Sequence, residues 1–127
     1  MTVVLDTSAL IYWTLNPLQL SALAQAAIKR SNHIVISSIS IWEIGIKVNK
    51  KQLRLPLSLE AYVHNLQRVR YVELVPVDTA TWLTNLSLKW AHRDPADRTI
   101  VATAHLRKAP LVASDKTIQE FYAKTIW

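Results

Sequence analysis

The chain contains no cysteine, which excludes a disulfide framework and any thiolate metal site. It contains one glycine, Gly45, so neither a glycine-rich phosphate loop nor a dinucleotide-binding fingerprint is available. No apolar run approaches the roughly 18 residues that a membrane-spanning helix needs. The opening stretch, MTVVLDTSAL, lacks a basic segment and meets an aspartate at position 6, so neither signal peptide nor anchor is expected. Acidic residues are scarce: nine Asp and Glu stand against 15 Lys and Arg, a formal net charge of +6. Such a balance attracts polyanions, chiefly nucleic acid. A soluble protein in a reduced, cytoplasmic setting is the expectation.

Half of the 127 residues are hydrophobic, which excludes disorder as a description of the whole. The length suits one domain with a real core. Neither an internal repeat nor a low-complexity tract interrupts it. Apolar, β-branched runs predict strands at residues 3–5, 33–37, 72–75 and 111–113. Helical spacing predicts helices at 8–13, 18–29, 38–50, 59–69, 78–91, 95–108 and 117–124, the third of them capped by Ser38 or Ser40. Strands and helices thus alternate, which predicts an α/β fold with a central parallel sheet flanked by helices on both faces. Ligands of such sheets bind at the carboxyl ends of the strands.

Four of the scarce acids fall where an apolar run meets a helix or inside an apolar helix: Asp6, Glu43, Asp97 and Asp115. A carboxylate beside buried hydrocarbon is costly unless paired or bound to a cation. Each has an ordinary explanation. Asp6 and Asp115 suit helix caps. Glu43 suits a capping box with Ser40 or an ion pair with Lys47. In Asp94-Pro95-Ala96-Asp97-Arg98, Asp94 suits an N-cap with proline at N1, Asp97 meets the helix dipole at N3, and Arg98 is spaced to pair with Asp94. Together, however, the four predict one convergent site. Its ligands are oxygen only, which favours Mg²⁺ or Mn²⁺ over zinc or copper.

Other residues are weaker candidates. The four histidines share no metal-ligand spacing, though His92 lies close to Asp94 and Asp97 in sequence. Gly45 within a helix suggests close helix packing. Trp13, Trp42, Trp82, Trp90 and Trp127 suit a core or an interface better than base stacking. Lys47, Lys50, Lys51 and Arg54 form a basic segment beyond Glu43 that suits either a solvated helix end or phosphate binding.

Four segments carry a resemblance: VVLDTSALI, SSISIWEIGIKV, HRDPADRTIVATA and PLVASDKTI. They resemble the PIN domain, and within it the VapC-type toxins, in the order that family has them. The resemblance implies a Mg²⁺- or Mn²⁺-dependent endoribonuclease, homodimeric and restrained by a cognate antitoxin. It carries the acidic quartet onto Asp6, Glu43, Asp97 and Asp115, with Asp6 and Asp97 contacting the ion, Glu43 and Asp115 at one remove, and Asp94 further out. Ser8 would steady Asp6, Ser114 would supply a hydroxyl near the last acid, and Lys47, Lys50, Lys51 and Arg98 would contact RNA phosphates. Three positions depart from the family pattern: Ala96 for a usual Phe, Ala113 for a Thr or Ser, and Lys51 for a turn glycine. Two other readings stand beside it. One is a non-catalytic RNA- or protein-binding module. The other is a phosphotransfer or phosphatase domain, disfavoured because Ser8 occupies the place of a second aspartate.

Overall fold

The computed structural model describes residues 1–127 and contains one five-stranded, wholly parallel sheet. The strands are β1 (Thr2–Leu5), β2 (His33–Ser37), β3 (Val72–Val75), β4 (Leu111–Val112) and β5 (Thr125–Ile126), in the order β3-β2-β1-β4-β5. Seven helices connect and cover them: α1 (Thr7–Leu15), α2 (Ala22–Arg30), α3 (Ser38–Asn49), α4 (Leu59–Arg68), α5 (Thr79–Ser87), α6 (Pro95–Arg107) and α7 (Lys116–Phe121).

Alternation along the central strands splits the core between two faces. Val3, Leu5, Ile34 and Ile36 bury against Ala9 and Leu10 of α1, Ala27 and Ile28 of α2, Ile44 of α3 and Leu66 of α4. Val4 and Val35 point the other way, onto Ile100, Val101 and Ala104 of α6 and Ile118 of α7. Strands covered on both faces need no polar side, which is why they read as continuous apolar runs.

The chain builds β1, β2 and β3 in one direction and then returns to place β4 and β5 on the other side of β1. Strand order therefore reverses between β1 and β4, and the crevice beyond their carboxyl ends is where such sheets bind ligands. Four helices begin at that edge. Asp6 caps α1, Ser37 caps α3, Asp94 caps α6 and Asp115 caps α7.

Several expected boundaries shift. Residues 18–29 are not one helix: Pro17–Gln19 forms a 3₁₀ turn, Ser21 caps α2, and Leu18 and Leu23 are exposed while Ala24, Ala27 and Ile28 are buried. The cap of α3 is Ser37, not Ser38 or Ser40. Helix α5 stops at Ser87 instead of near Ala91, leaving 88–93 without regular structure. Helix α7 ends at Phe121, and the expected helical residues 122–124 instead form a turn that leads into the edge strand β5.

Two local features answer questions the sequence raised. A Cβ on Gly45 would stand 3.2 Å from the Leu59 side chain, so the glycine lets α3 pack closely on the start of α4. Lys51 has φ 57°, the left-handed conformation for which a glycine is suited. A lysine there costs about 1–2 kcal/mol. No helix is long and apolar enough to cross a membrane.

Candidate active site

Asp6 follows β1 directly and is almost completely buried. Its Oδ1 accepts the Ala9 N–H at 2.7 Å, and its own N–H donates to Val112 O of β4 at 3.1 Å, so the residue is fixed between the strand pair and the first turn of α1. Burial pushes its carboxyl up to about 7, and the charges of Asp97, Glu43 and Asp115 add to the rise against the lowering bond from Ala9. The capping role of Asp6 and its place in an acidic cluster are thus both realised. Ala9 steadies it rather than Ser8, which is exposed.

Glu43 lies on the second turn of α3, half-buried. Burial raises its carboxyl, the hydrogen bond from Thr7 opposes that rise, and Asp97 and Asp94 reinforce it. The Thr7 hydroxyl, immediately after Asp6, donates to Glu43 Oε1 and lies 2.9 Å from the buried Ser40 hydroxyl. No capping box joins Ser40 to Glu43; Ser40 contacts Thr7 instead. Thr7 is therefore a site residue that sequence reasoning missed. The signal was its place beside Asp6, in register with the polar residues of a helix otherwise apolar.

Asp97 stands at N3 of α6, where the expected cap forms: Asp94 Oδ1 accepts the Asp97 N–H at 2.9 Å. Its carboxyl is raised by burial, opposed by the hydrogen bond from His92, and raised further by Asp94 and Asp115. His92 Nε2 lies 2.8 Å from Asp97 Oδ2, so that histidine joins the site. Asp115 is exposed and caps α7 through Oδ1, which accepts the N–H groups of Thr117 (2.7 Å) and Ile118 (3.3 Å). Ser114 contributes its carbonyl, which accepts from Gln119 Nε2 at 2.9 Å, in place of the expected hydroxyl.

The cations are distributed differently from expectation. Lys47 lies one turn beyond Glu43, and its charge partly offsets the rise at that carboxyl. Lys50 and Lys51 are exposed just past the end of α3, about 10 Å from Glu43 along the helix axis. Arg98 pairs with neither Asp94 nor solvent. Its five N–H groups meet Asn85 Oδ1 (3.4 Å) and the carbonyls of Trp90 (2.6 Å), His92 (3.1 Å), Asn85 (2.6 Å) and Leu88 (3.0 Å). No donor is left for a phosphate, which corrects its expected RNA contact.

Hard oxygen donors, mutually repelling and without a paired lysine or arginine, suit a divalent cation. No three His, Asp or Glu side chains are drawn tightly enough to enclose a bare ion. An open ring of acids suits Mg²⁺, which keeps several waters and takes one or two carboxylates directly. The donor set fits.

A model of the PIN domain matches residues 3–124, nearly the whole chain. The chain belongs to the PIN domain family. Within it, the chain is 29% identical over 119 residues to the protein named Ribonuclease VapC22 of Mycobacterium tuberculosis, covering 93% of this chain and 90% of that one. Two solved structures share the PIN fold at low identity. A toxin–antitoxin complex from Klebsiella pneumoniae superposes with a TM-score of 0.69 at 16% identity, over 98% of this chain and 96% of that one. VapBC2 from Rickettsia felis, bound to a DNA fragment from its promoter, gives 0.66 at 18% identity, over 96% and 94%. The four acids of this PIN domain lie on the segments 3–124 that the family model spans.

Proposed function

We propose that the protein is a Mg²⁺- or Mn²⁺-dependent endoribonuclease, the toxin of a VapBC-type toxin–antitoxin pair. The observation that carries this reading is the set of four acids at the carboxyl edge of β1, β2 and β4. Three of the acids raise the carboxyl of Asp6, and no lysine or arginine forms an ion pair with any of the four, His92 being the one ring nitrogen that meets Asp97. The likeness to a named ribonuclease and to toxin–antitoxin complexes supports the choice of substrate and setting.

In this reading Asp6 and Asp97 would hold the cation, with Glu43 and Asp115 and then Asp94 supporting them. The cation supplies positive charge for the phosphate and makes water more acidic. Thr7 fixes the carboxylate of Glu43, which with Asp115 orients the attacking water. Lys47 neutralises the approaching RNA backbone, and Lys50 and Lys51 extend that track along α3. With four of the nine acids gathered at one edge, the remaining surface is more basic than the net charge of +6 implies, which favours a polyanion. A cognate antitoxin, a homodimer and a cytoplasmic setting complete the proposal.

Cleavage of total RNA tests it, with Mg²⁺ or with EDTA, beside Asp6→Asn and Asp97→Asn. Discrete cuts that need the metal and vanish in both variants are expected. Equal cleavage by the variants points to a contaminating nuclease and removes support. No cleavage by folded, antitoxin-free protein would overturn the reading.

A further inference from the structure

The segment 88–93 has no helix or strand to satisfy its carbonyls, yet it crosses the structure beside the acids. Backbone acceptors in such a segment need partners from elsewhere. Arg98 provides them. Its planar fork donates to Leu88, Trp90 and His92 within the segment and to Asn85 at the end of α5, and no acid neutralises its charge. Charge-assisted bonds of this kind are stronger than neutral ones and impose geometry. One side chain thereby sets the course of six residues.

A second constraint acts on the rings. The Trp90 ring stacks on Phe121 of α7 with centroids 4.6 Å apart and planes 7° apart. Its indole also packs against the His92 imidazole, at 4.8 Å and 39°. Trp90 thus joins the helix that Asp115 caps to the imidazole that bonds Asp97. A segment serving only to link α5 and α6 would need neither contact.

We propose that His92 is a positioning residue for Asp97, held in place by the grip of Arg98 on the backbone of 88–93 and by the Trp90 ring. This inference rests on Asp97 being a cation ligand. An aspartate has two free side-chain torsions, and one oxygen bonded to a fixed imidazole removes that freedom. With Oδ2 held by His92 at 2.8 Å, the carboxyl would present its remaining lone pairs to a cation in one fixed orientation. Loss of such an orienting partner ordinarily weakens metal affinity about 10- to 100-fold.

The test is Mn²⁺ binding to metal-free protein without RNA, followed by electron paramagnetic resonance of free Mn²⁺. His92→Phe keeps a ring against Trp90 and removes the donor; His92→Gln keeps a donor at the matching distance from the backbone. His92→Phe should weaken Mn²⁺ binding about tenfold with the metal-free melting temperature unchanged, and His92→Gln should recover most of the loss. Arg98→Lys should weaken binding in the wild-type background, but add nothing in the His92→Phe background, because both act through one bond. Wild-type affinity in His92→Phe, or full additivity with Arg98→Lys, would overturn the positioning role and leave the proposed function intact. A wild type that binds no Mn²⁺ would overturn both.

Discussion

The two ends of the sheet handle acidic residues in opposite ways. At the amino edge, Glu73 of β3 takes a two-pronged bond from Arg107 (3.0 and 3.1 Å) and lies 2.8 Å from His33 Nε2, whose other ring nitrogen meets Thr2 Oγ1. The hydrogen bond from Arg107 is the leading cause that holds the Glu73 carboxyl below its ordinary value. At the carboxyl edge, Asp6, Glu43 and Asp97 are all raised, with burial as the leading cause and the charges of neighbouring carboxylates adding to it. Helix α6 spans both ends, with Asp97 on its first turn and Arg107 on its last. Arg98 lies between them in sequence, yet its cation is turned to loop carbonyls and away from the acids. One edge has an acid closed by a protein arginine; the other has acids that no lysine or arginine closes.

The largest expected effect lies in activity. Asp97→Asn should lower RNA cleavage at least ~10³-fold, since the charge stabilisation supplied by a bound metal amounts to several kcal/mol. Glu73→Gln should leave cleavage unchanged in the same assay. A comparable loss in both would mean that the two edges are not functionally distinct.

The second effect is on stability against pH, followed by chemical denaturation of metal-free protein. Unfolded Asp6 titrates near its ordinary 3.8 and native Asp6 near 7. Between those values the native state holds the extra proton, so stability should fall as pH rises from about 4 to about 7 and then level off. Asp6→Asn, which keeps an acceptor for the Ala9 N–H, should flatten that slope and raise metal-free stability at pH 8. Glu73 contributes in the opposite sense. Its lowered carboxyl stabilises the native state above the ordinary value of 4.5, and that contribution is lost as pH falls below it.

Smaller effects follow in single-site stability. Glu73 and Arg107 are both partly exposed, so Glu73→Gln should cost only about 0.2–1 kcal/mol at neutral pH by urea unfolding. Lys51→Gly should be the mildest change, because relief of left-handed strain is offset by the freedom glycine gains in the unfolded chain. A net gain of up to ~1 kcal/mol is expected from the thermal midpoint.

Much of the fold was legible because a doubly covered parallel strand must be apolar throughout. Residues 34–36 follow that rule within 33–37, which matches β2 residue for residue; 72–75 matches β3 equally well, although this edge strand carries the polar Glu73. The two-residue β5 was not legible, since Thr125–Ile126 is too short to display any period. The 18–29 helix failed for another reason: Leu18 lies in the preceding 3₁₀ turn and Leu23 faces outward, and Ala24, Ala27 and Ile28 make the contact instead. At the site, Asp94 as the cap of α6 was readable from the Asp-Pro pair. Thr7, Ser40 and the Arg98 grip were not, because each depends on a partner that only the fold brings near. Arg98 shows the limit most clearly. Its charge suggested phosphate, whereas its fork meets backbone carbonyls.

The most direct measurement is the melting temperature of metal-free protein at pH 8, before and after Mn²⁺, for wild type and Asp6→Asn. Unfilled repulsion at the carboxyl edge predicts that the ion stabilises wild type, by about 2.7 kcal/mol at a hundredfold excess over its Kd. It further predicts that Asp6→Asn starts higher and gains little. An unchanged wild-type melting temperature, with Asp6→Asn melting at or below it, would contradict the reading of these acids as a cation site.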